Sequence, residues 1–395
     1  MTNIKKITFL HNYFPTGGAD KVTVNIANFV RNHGYDTVVL AHESSYDFGV
    51  TYPALVKLPD DGDLISDANI EFVINYINGN GIDIFVVPGL AGRILEKIRP
   101  NISCKVVYAL HSIPFWEATY RLYEKKVAAR GHILKKLKWQ LITCPRERLV
   151  HKYLKSTYRD YRNVYANCDA YVFLCDGYKQ SFVRTLGIGD EEGKLHVIHN
   201  SERIPETVCF DKRKEIIFVG RLTYEDKRVD RLLRIWKVAS PQLPEWRLRI
   251  VGSGPEQELL MALASRLELE RITFEGFHGN VKPFYDTASI ICLTSTFEGW
   301  PLCLTEAQAN GVVPVAFGCS DGVKEIIGPS GVNGIVVQPF DIDAFAEELV
   351  ALATNEERLG QMRLNVIEKS KAYSPEVAGR KWVELFNSLC KTKEL

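Results

Sequence analysis

The chain has 395 residues, 46% of them apolar and 25% charged, with a formal net charge of +1. That length exceeds one ordinary core and suits two domains. The near-zero charge excludes wholesale nucleic-acid binding but leaves room for a local basic patch. Nine cysteines, with no C-x-x-C pair and no metal-ligand spacing, read as buried or free thiols in a reducing compartment rather than as a disulfide framework.

The first stretch, "MTNIKKITFLHNYF", has no apolar run long enough for a signal sequence. No run in the chain approaches the ~20 residues of a membrane span. The expected location is cytoplasmic, either in solution or peripheral on the cytoplasmic face of a membrane. "KITFLH" at 6–11 reads as a strand, after which Val22, Ile26, Phe29 and Val30 share a helical face that Gly34 ends. The turn between them holds Gly17 and Gly18, which serve either a tight turn or the close approach of backbone to an anionic ligand. A G-x-G-x-x-G fingerprint is missing from that turn, which weakens a nicotinamide reading.

"TVVLA", "DIFVVPG", "KVVYALH" and "AYVFLC" are further apolar runs separated by helix-period segments. Such runs predict a parallel sheet covered on both faces. His111 ends the third of them, and a histidine there either donates to a phosphate or sugar hydroxyl or is simply packed. Phe115–Tyr165 carries thirteen Lys/Arg against four Asp/Glu. Within it Ile133, Leu134, Leu137 and Leu141 form a stripe beside Lys135, Lys136 and Lys138. This is either a helix on an anionic membrane surface or a helix with its apolar side on the core. No nucleic-acid motif accompanies the charge.

The pattern breaks at "HNSERIPETVCFDKRK", 199–214, and restarts with "EIIFVGRL", "WRLRIVGSG", "RITFEGF", "SIICLTS", "VVPVAFG" and "GIVVQP". The expected fold is α/β, with two Rossmann-like doubly wound domains, 1–200 and 201–373, facing each other across a ligand-binding cleft. Ser374 and Pro375 open a last helix, 374–395.

Arg221 follows a strand and Lys227 precedes a helix; they are either ordinary surface cations or partners for a diphosphate. Gly252 and Gly254 are by themselves a weak signal. In "TSTFEGWPLCLTEAQANGVVPVA" Glu298 sits in a turn with Gly299, and Glu306 is expected in the first turn of the next helix. A carboxylate there is either a helix-start residue or an acceptor for a ribose diol. Amides from Gly299 to Cys303 are candidates for sugar or phosphate contacts, with Trp300 and Leu302 as loop packing or pocket wall.

Together, "PTGGADKV", "ALHSIP", "FVGRLTYEDKRVDRLL", "IVGSGPEQELL" and the Glu298-x7-Glu306 motif followed by Gly311-x-x-Pro314-Val315 resemble the retaining glycosyltransferases of family 4. The resemblance covers nearly the whole chain and implies the GT-B fold. It also implies that the first domain is the acceptor side and the second binds the nucleotide-sugar, and that the last helix, 374–395, packs back on the first domain. It implies that Arg221 and Lys227 bind the diphosphate of a nucleotide-sugar, that Glu306 holds the ribose, and that Glu298 contacts the transferred sugar. Gly17, Gly18 and His111 would meet phosphate or sugar from the first domain, and the base would lie near Phe277 and His278. No cofactor or metal is implied, since the cations would carry the leaving diphosphate, and attack would come from the face the nucleotide leaves.

The implied partners are a donor, more in keeping with uridine than guanosine diphosphate, and a glycan or lipid-linked glycan acceptor. The chain departs from the family at Asp20, where Glu is common, at Asn200-Ser201 in place of Asn-Gly, and in "GCSDGVKEII". A GT-B epimerase and a non-catalytic nucleotide-sugar-binding scaffold are the alternatives.

Overall fold

The computed structural model describes residues 4–14, 18–44, 52–129, 132–190 and 193–391; Gly17 lies outside them. The chain divides into two compact units, Met1–Ser201 with Pro375–Leu395, and Glu202–Ser374.

The first unit is built on β1 (Lys5–Phe14), β2 (Tyr35–Ser44), β3 (Ala54–Lys57), β4 (Ile84–Pro88), β5 (Lys105–Ala109), β6 (Ala170–Phe173) and β7 (Leu195–Val197). Their order is β3-β2-β1-β4-β5-β6-β7, and every pairing is parallel. Continuous apolar strands such as Ile84–Val87 are buried on both faces, which is why they lack alternation. The edge strands β3 and β7 have no apolar run to announce them; β3 leaves Leu55 40% exposed.

Ile7, Phe9, Val39, Val86 and Val107 form a core that is completed by Ala378, Trp382, Leu385 and Phe386 from the helix Pro375–Cys390. Burying Trp382 and Phe386 contributes on the order of 2–3 kcal/mol each. Gly379 permits the close packing: a Cβ there would lie 2.3 Å from the Phe29 ring. The Tyr35 hydroxyl donates to Asn387 Oδ1 at 2.7 Å along the same contact.

The basic stretch forms a helix at Ile133–Lys138, a π-turn at Trp139–Thr143 and a helix at Cys144–Val150. Ile133, Leu134 and Leu141 are 79%, 82% and 71% exposed. Of the two readings of this stripe, packing on the core is therefore ruled out. Among the described residues no helix is long and apolar enough to cross a membrane.

The second unit carries β8 (Glu215–Val219), β9 (Arg247–Val251), β10 (Ile272–Gly276), β11 (Ile290–Leu293), β12 (Val313–Phe317) and β13 (Ile335–Val337). Their order is β10-β9-β8-β11-β12-β13, again parallel throughout. Ile216, Phe218, Leu248, Ile250, Val315 and Phe317 meet Leu232, Trp236 and Leu349 from the covering helices. Because the strands are parallel, the loops after β8, β9, β11 and β12 all emerge at one edge of the sheet.

Candidate active site

The loop leaving β8 and the loop leaving β9 are held together backbone to backbone. Gly220 N donates to Val251 O at 3.0 Å, Leu222 N to Ser253 O at 2.9 Å, and Glu256 N to Leu222 O at 3.1 Å. A Cβ on Gly252, whose φ is +132°, would lie 1.9 Å from Gly220 O, and one on Gly254 would lie 2.5 Å from Leu222 O. The glycines of "VGSG" are thus required by the approach of two chains.

That platform presents Lys227. Thr296 N donates to Asp226 O at 2.7 Å, and Thr294 Oγ1 donates to Arg228 O at 3.1 Å. Arg231 Nη1 donates back to Thr294 O at 3.1 Å. The β8 and β11 loops are so joined that Lys227 Nζ lies 2.7 Å from Glu298 Oε1, which also accepts from Ser295 Oγ at 2.6 Å. Burial alone would depress the lysine, but the adjacent carboxylate outweighs it and holds the ammonium above its ordinary pKa. Lys227 is therefore a fixed cation at neutral pH. Burial pushes the neighbouring thiols of Cys303 and Cys319 up to about 12, so neither is a thiolate nucleophile.

Arg221 shares the loop and is 79% exposed, with Asp226 Oδ2 3.9 Å away. Its guanidinium is loosely held and open to an incoming anion.

Glu306 lies differently from the sequence expectation. The helix is Leu302–Ala309, with Pro301 as its N-cap residue, so Glu306 is its fifth residue and is not in the first turn. Its Oε2 accepts from the Tyr285 hydroxyl at 2.9 Å instead of lying among free amides. Lys212 braces this corner, donating to Tyr285 O at 2.7 Å and Asn310 O at 2.8 Å. The two carboxylates thus have separate partners, one a cation and the other a phenol.

Trp300, 6% exposed, packs edge-on to Tyr373 with ring centroids 5.2 Å apart. Leu302 and Cys303, both partly buried, open the helix after Gly299. Phe277 follows β10 and is 78% exposed.

The remaining expected residues belong to the first unit. Gly18 opens the helix Gly18–Arg31. His111 Nδ1 is 3.1 Å from Asn200 Oδ1, and burial lowers its pKa to about 4 despite that bond. It is a neutral imidazole at pH 7. Sequence reasoning missed His11, which ends "FLH" as His111 ends "ALH". His11 Nδ1 lies 3.0 Å from Asp20 and its Nε2 2.9 Å from Thr23 Oγ1, with His11 4% exposed. The signal was Asp20, noticed only as a departure from a family pattern.

Among the described residues no group of three or more His, Cys, Asp or Glu is placed to hold a metal ion. Asp341, in "DIDAF", caps the helix Ile342–Ala353 by accepting from Ala344 N at 3.0 Å.

Comparison with known proteins adds to this geometry. Residues 200–372 match the family described as "Glycosyl transferases group 1". The chain is 36% identical over 397 residues, 96% of its own length and 98% of the relative's, to a protein of Haemophilus influenzae named "Uncharacterized glycosyltransferase". It is 32% identical over 198 residues to the amylovoran biosynthesis glycosyltransferase AmsD of Erwinia amylovora, covering 49% of this chain and 55% of that one. The Anabaena Alr3699/HepE structure in complex with UDP and glucose superposes with a TM-score of 0.73 at 17% identity, covering 97% of this chain and 100% of the other; at that identity the likeness speaks for the fold.

With a relative matched along nearly its whole length and a family match over the unit that holds Lys227, Glu298 and Glu306, the chain belongs to the group 1 (family 4) glycosyltransferases and has their GT-B fold.

Proposed function

We propose that the enzyme transfers a sugar, with retention of anomeric configuration, from a uridine diphosphate-linked donor to a glycan or lipid-linked glycan acceptor in cell-surface polysaccharide synthesis. The observation that carries this reading is the Lys227–Glu298 pair at 2.7 Å, on a loop that also carries the exposed guanidinium of Arg221. A largely buried ammonium that stays charged suits the departure of a diphosphate, because it is in place before charge develops, and the exposed guanidinium of Arg221 on the same loop is available to join it. Glu298, held by Lys227, is the residue assigned to hydroxyls of the transferred sugar, and Glu306, oriented by the Tyr285 hydroxyl, offers an acceptor to a ribose diol.

The leaving β-phosphate takes the acceptor's proton, so neither carboxylate moves one. AmsD, named for amylovoran biosynthesis, and the UDP and glucose complex of HepE favour a polysaccharide product and a uridine nucleotide. An epimerase would consume donor without acceptor, and a scaffold would bind donor without turnover.

The test is a screen of nucleotide-sugars for thermal stabilisation, followed by mass analysis of products with candidate glycans. The reading expects stabilisation by one UDP-sugar and a product heavier than the acceptor by one sugar. Donor conversion without acceptor, or binding without any product, would overturn it.

A second observation bears on where the reaction occurs. The apolar stripe of Ile133, Leu134 and Leu141 faces outward beside Lys135, Lys136 and Lys138, the pairing that suits an anionic bilayer surface. Cosedimentation with anionic vesicles at low salt is expected, and is expected to weaken when the three lysines are changed to Gln. Recovery of all protein in the supernatant would remove this part of the reading.

A further inference from the structure

Lys212 lies in the segment leading into β8, and its side chain reaches the corner that holds Glu306. Its ammonium donates to Tyr285 O at 2.7 Å and to Asn310 O at 2.8 Å. Both acceptors are main-chain carbonyls, and among the described residues no acidic side chain is paired with it. The segment itself is pinned there: Arg213 N donates to Thr287 O at 2.7 Å, and Ser289 Oγ donates to Arg213 O at 2.7 Å.

The two carbonyls belong to the two residues that hold Glu306. The Tyr285 hydroxyl donates to Glu306 Oε2 at 2.9 Å, and burial raises its pKa so far that it stays a donor. Asn310 follows the helix Leu302–Ala309 and is tied twice to the Glu306 carbonyl, through Nδ2 at 2.8 Å and through N at 3.2 Å. Lys212 therefore closes a ring in which one arm fixes the Glu306 carboxylate and the other fixes its backbone. Tyr285, in the helix Lys282–Thr287, and Asn310 both lie near helix C-terminal ends, where a cation is favoured.

Ion pairing does not explain this placement. Burial lowers the Lys212 pKa to about 8, and the Arg363 guanidinium of the helix Glu356–Ser370 adds repulsion. Cys209 on its own segment and Asp286 act in the opposite direction, while Lys282, 2.7 Å from Asp286, adds to the repulsion. What the ammonium does there is fix Tyr285 relative to Asn310. Its charge is present below about 8 and is lost as pH rises past that value.

We propose that Lys212 is a positioning residue that sets the Glu306 carboxylate for the ribose diol of the donor while touching no substrate itself. The proposal rests on the assignment of Glu306 to the ribose.

The experiment measures, by calorimetry on the full chain, the dissociation constants of UDP and 2′-deoxy-UDP at pH 7 and pH 9. Their ratio isolates the contribution of one ribose hydroxyl; general damage to the fold or to diphosphate binding cancels, as does titration of the uracil. The parent is expected to prefer UDP about 10-fold at pH 7. Lys212→Met, of similar length and uncharged, should lower that preference to about 3-fold, and Tyr285→Phe should lower it by a similar factor. Lys212→Arg, which keeps a charged donor, should fall between the parent and Lys212→Met. At pH 9 the preference of the parent should move toward that of Lys212→Met, whose own preference should not change.

An undiminished preference in Lys212→Met, no fall in the parent at pH 9, or an equal fall at pH 9 in Lys212→Met would each overturn the proposal. If Glu306→Gln abolishes the preference in the same series, the ribose assignment survives that outcome. A parent that binds neither nucleotide, or binds both equally, or a Glu306→Gln protein that keeps the preference, would remove the ribose assignment and the proposal with it.

Discussion

The two units carry their chemistry by different means. In Glu202–Ser374 the candidate site is shaped by backbone: two strand-end loops touch through glycines, and Lys227 is aimed by main-chain bonds from Thr296 and to Asp226. In the first unit it is shaped by side chains, with His111 on Asn200, His11 on Asp20, and a cavity lined by tyrosines, arginines and carboxylates. Backbone contact tolerates few residue types at fixed spacings and so writes a motif. Side-chain contact can be met by many sequences and writes almost none.

The strongest way to break that contrast is Gly252→Ala. The added Cβ would lie 1.9 Å from Gly220 O at a φ of +132°, so unfolding by urea should show a loss of about 3 kcal/mol or more. Gly331→Ala, also at positive φ but with nothing within 4 Å, should cost only about 1–2 kcal/mol. Equal losses at the two positions would mean that the glycine platform is not held by close approach.

Next come the cations. Lys227→Ala is expected to cut turnover about 10²–10³-fold and also to lower the unfolding midpoint, because the buried Glu298 carboxylate loses the ammonium it pairs with. Arg221→Ala removes an exposed group and should cut turnover by roughly 10–100-fold with the midpoint unmoved. Near-parent turnover in both variants, measured by product mass under saturating donor, would detach these residues from catalysis.

The smallest effect lies in the first unit. The folded His111 binds its proton at about 4, against an ordinary 6.5. Between those values the unfolded chain holds more protons, so this contribution is complete above 6.5 and is lost as pH falls toward 4. Urea midpoints at pH 7 and pH 5 should differ less in His111→Gln than in the parent. An unchanged difference would show that the imidazole is not what titrates.

The same contrast explains how much could be read beforehand. The apolar runs marked eleven of the thirteen strands among the described residues because buried parallel strands have no polar face to interrupt them. The edge strands β3 and β7 were silent for the opposite reason. Arg221, Lys227, Glu298 and Glu306 stood out by spacing. The start of the helix carrying Glu306 did not, since it is set by Pro301 and Leu302 in a loop that looked continuous with it. His11 was invisible because its partner Asp20 lies across a strand-to-helix turn, and the cavity was invisible because its walls come from five separated segments.

One feature of the first unit bears on the order in which the protein is made. Trp382 and Phe386 finish a core begun by Ile7 and Phe9, yet all of Glu202–Ser374 is synthesised between them. On the ribosome the second unit has all its strands while the first still exposes the apolar face that Pro375–Cys390 will cover. The unit that begins first is the one that finishes last, and until then its uncovered face is the part of the nascent chain most open to aggregation or to a chaperone.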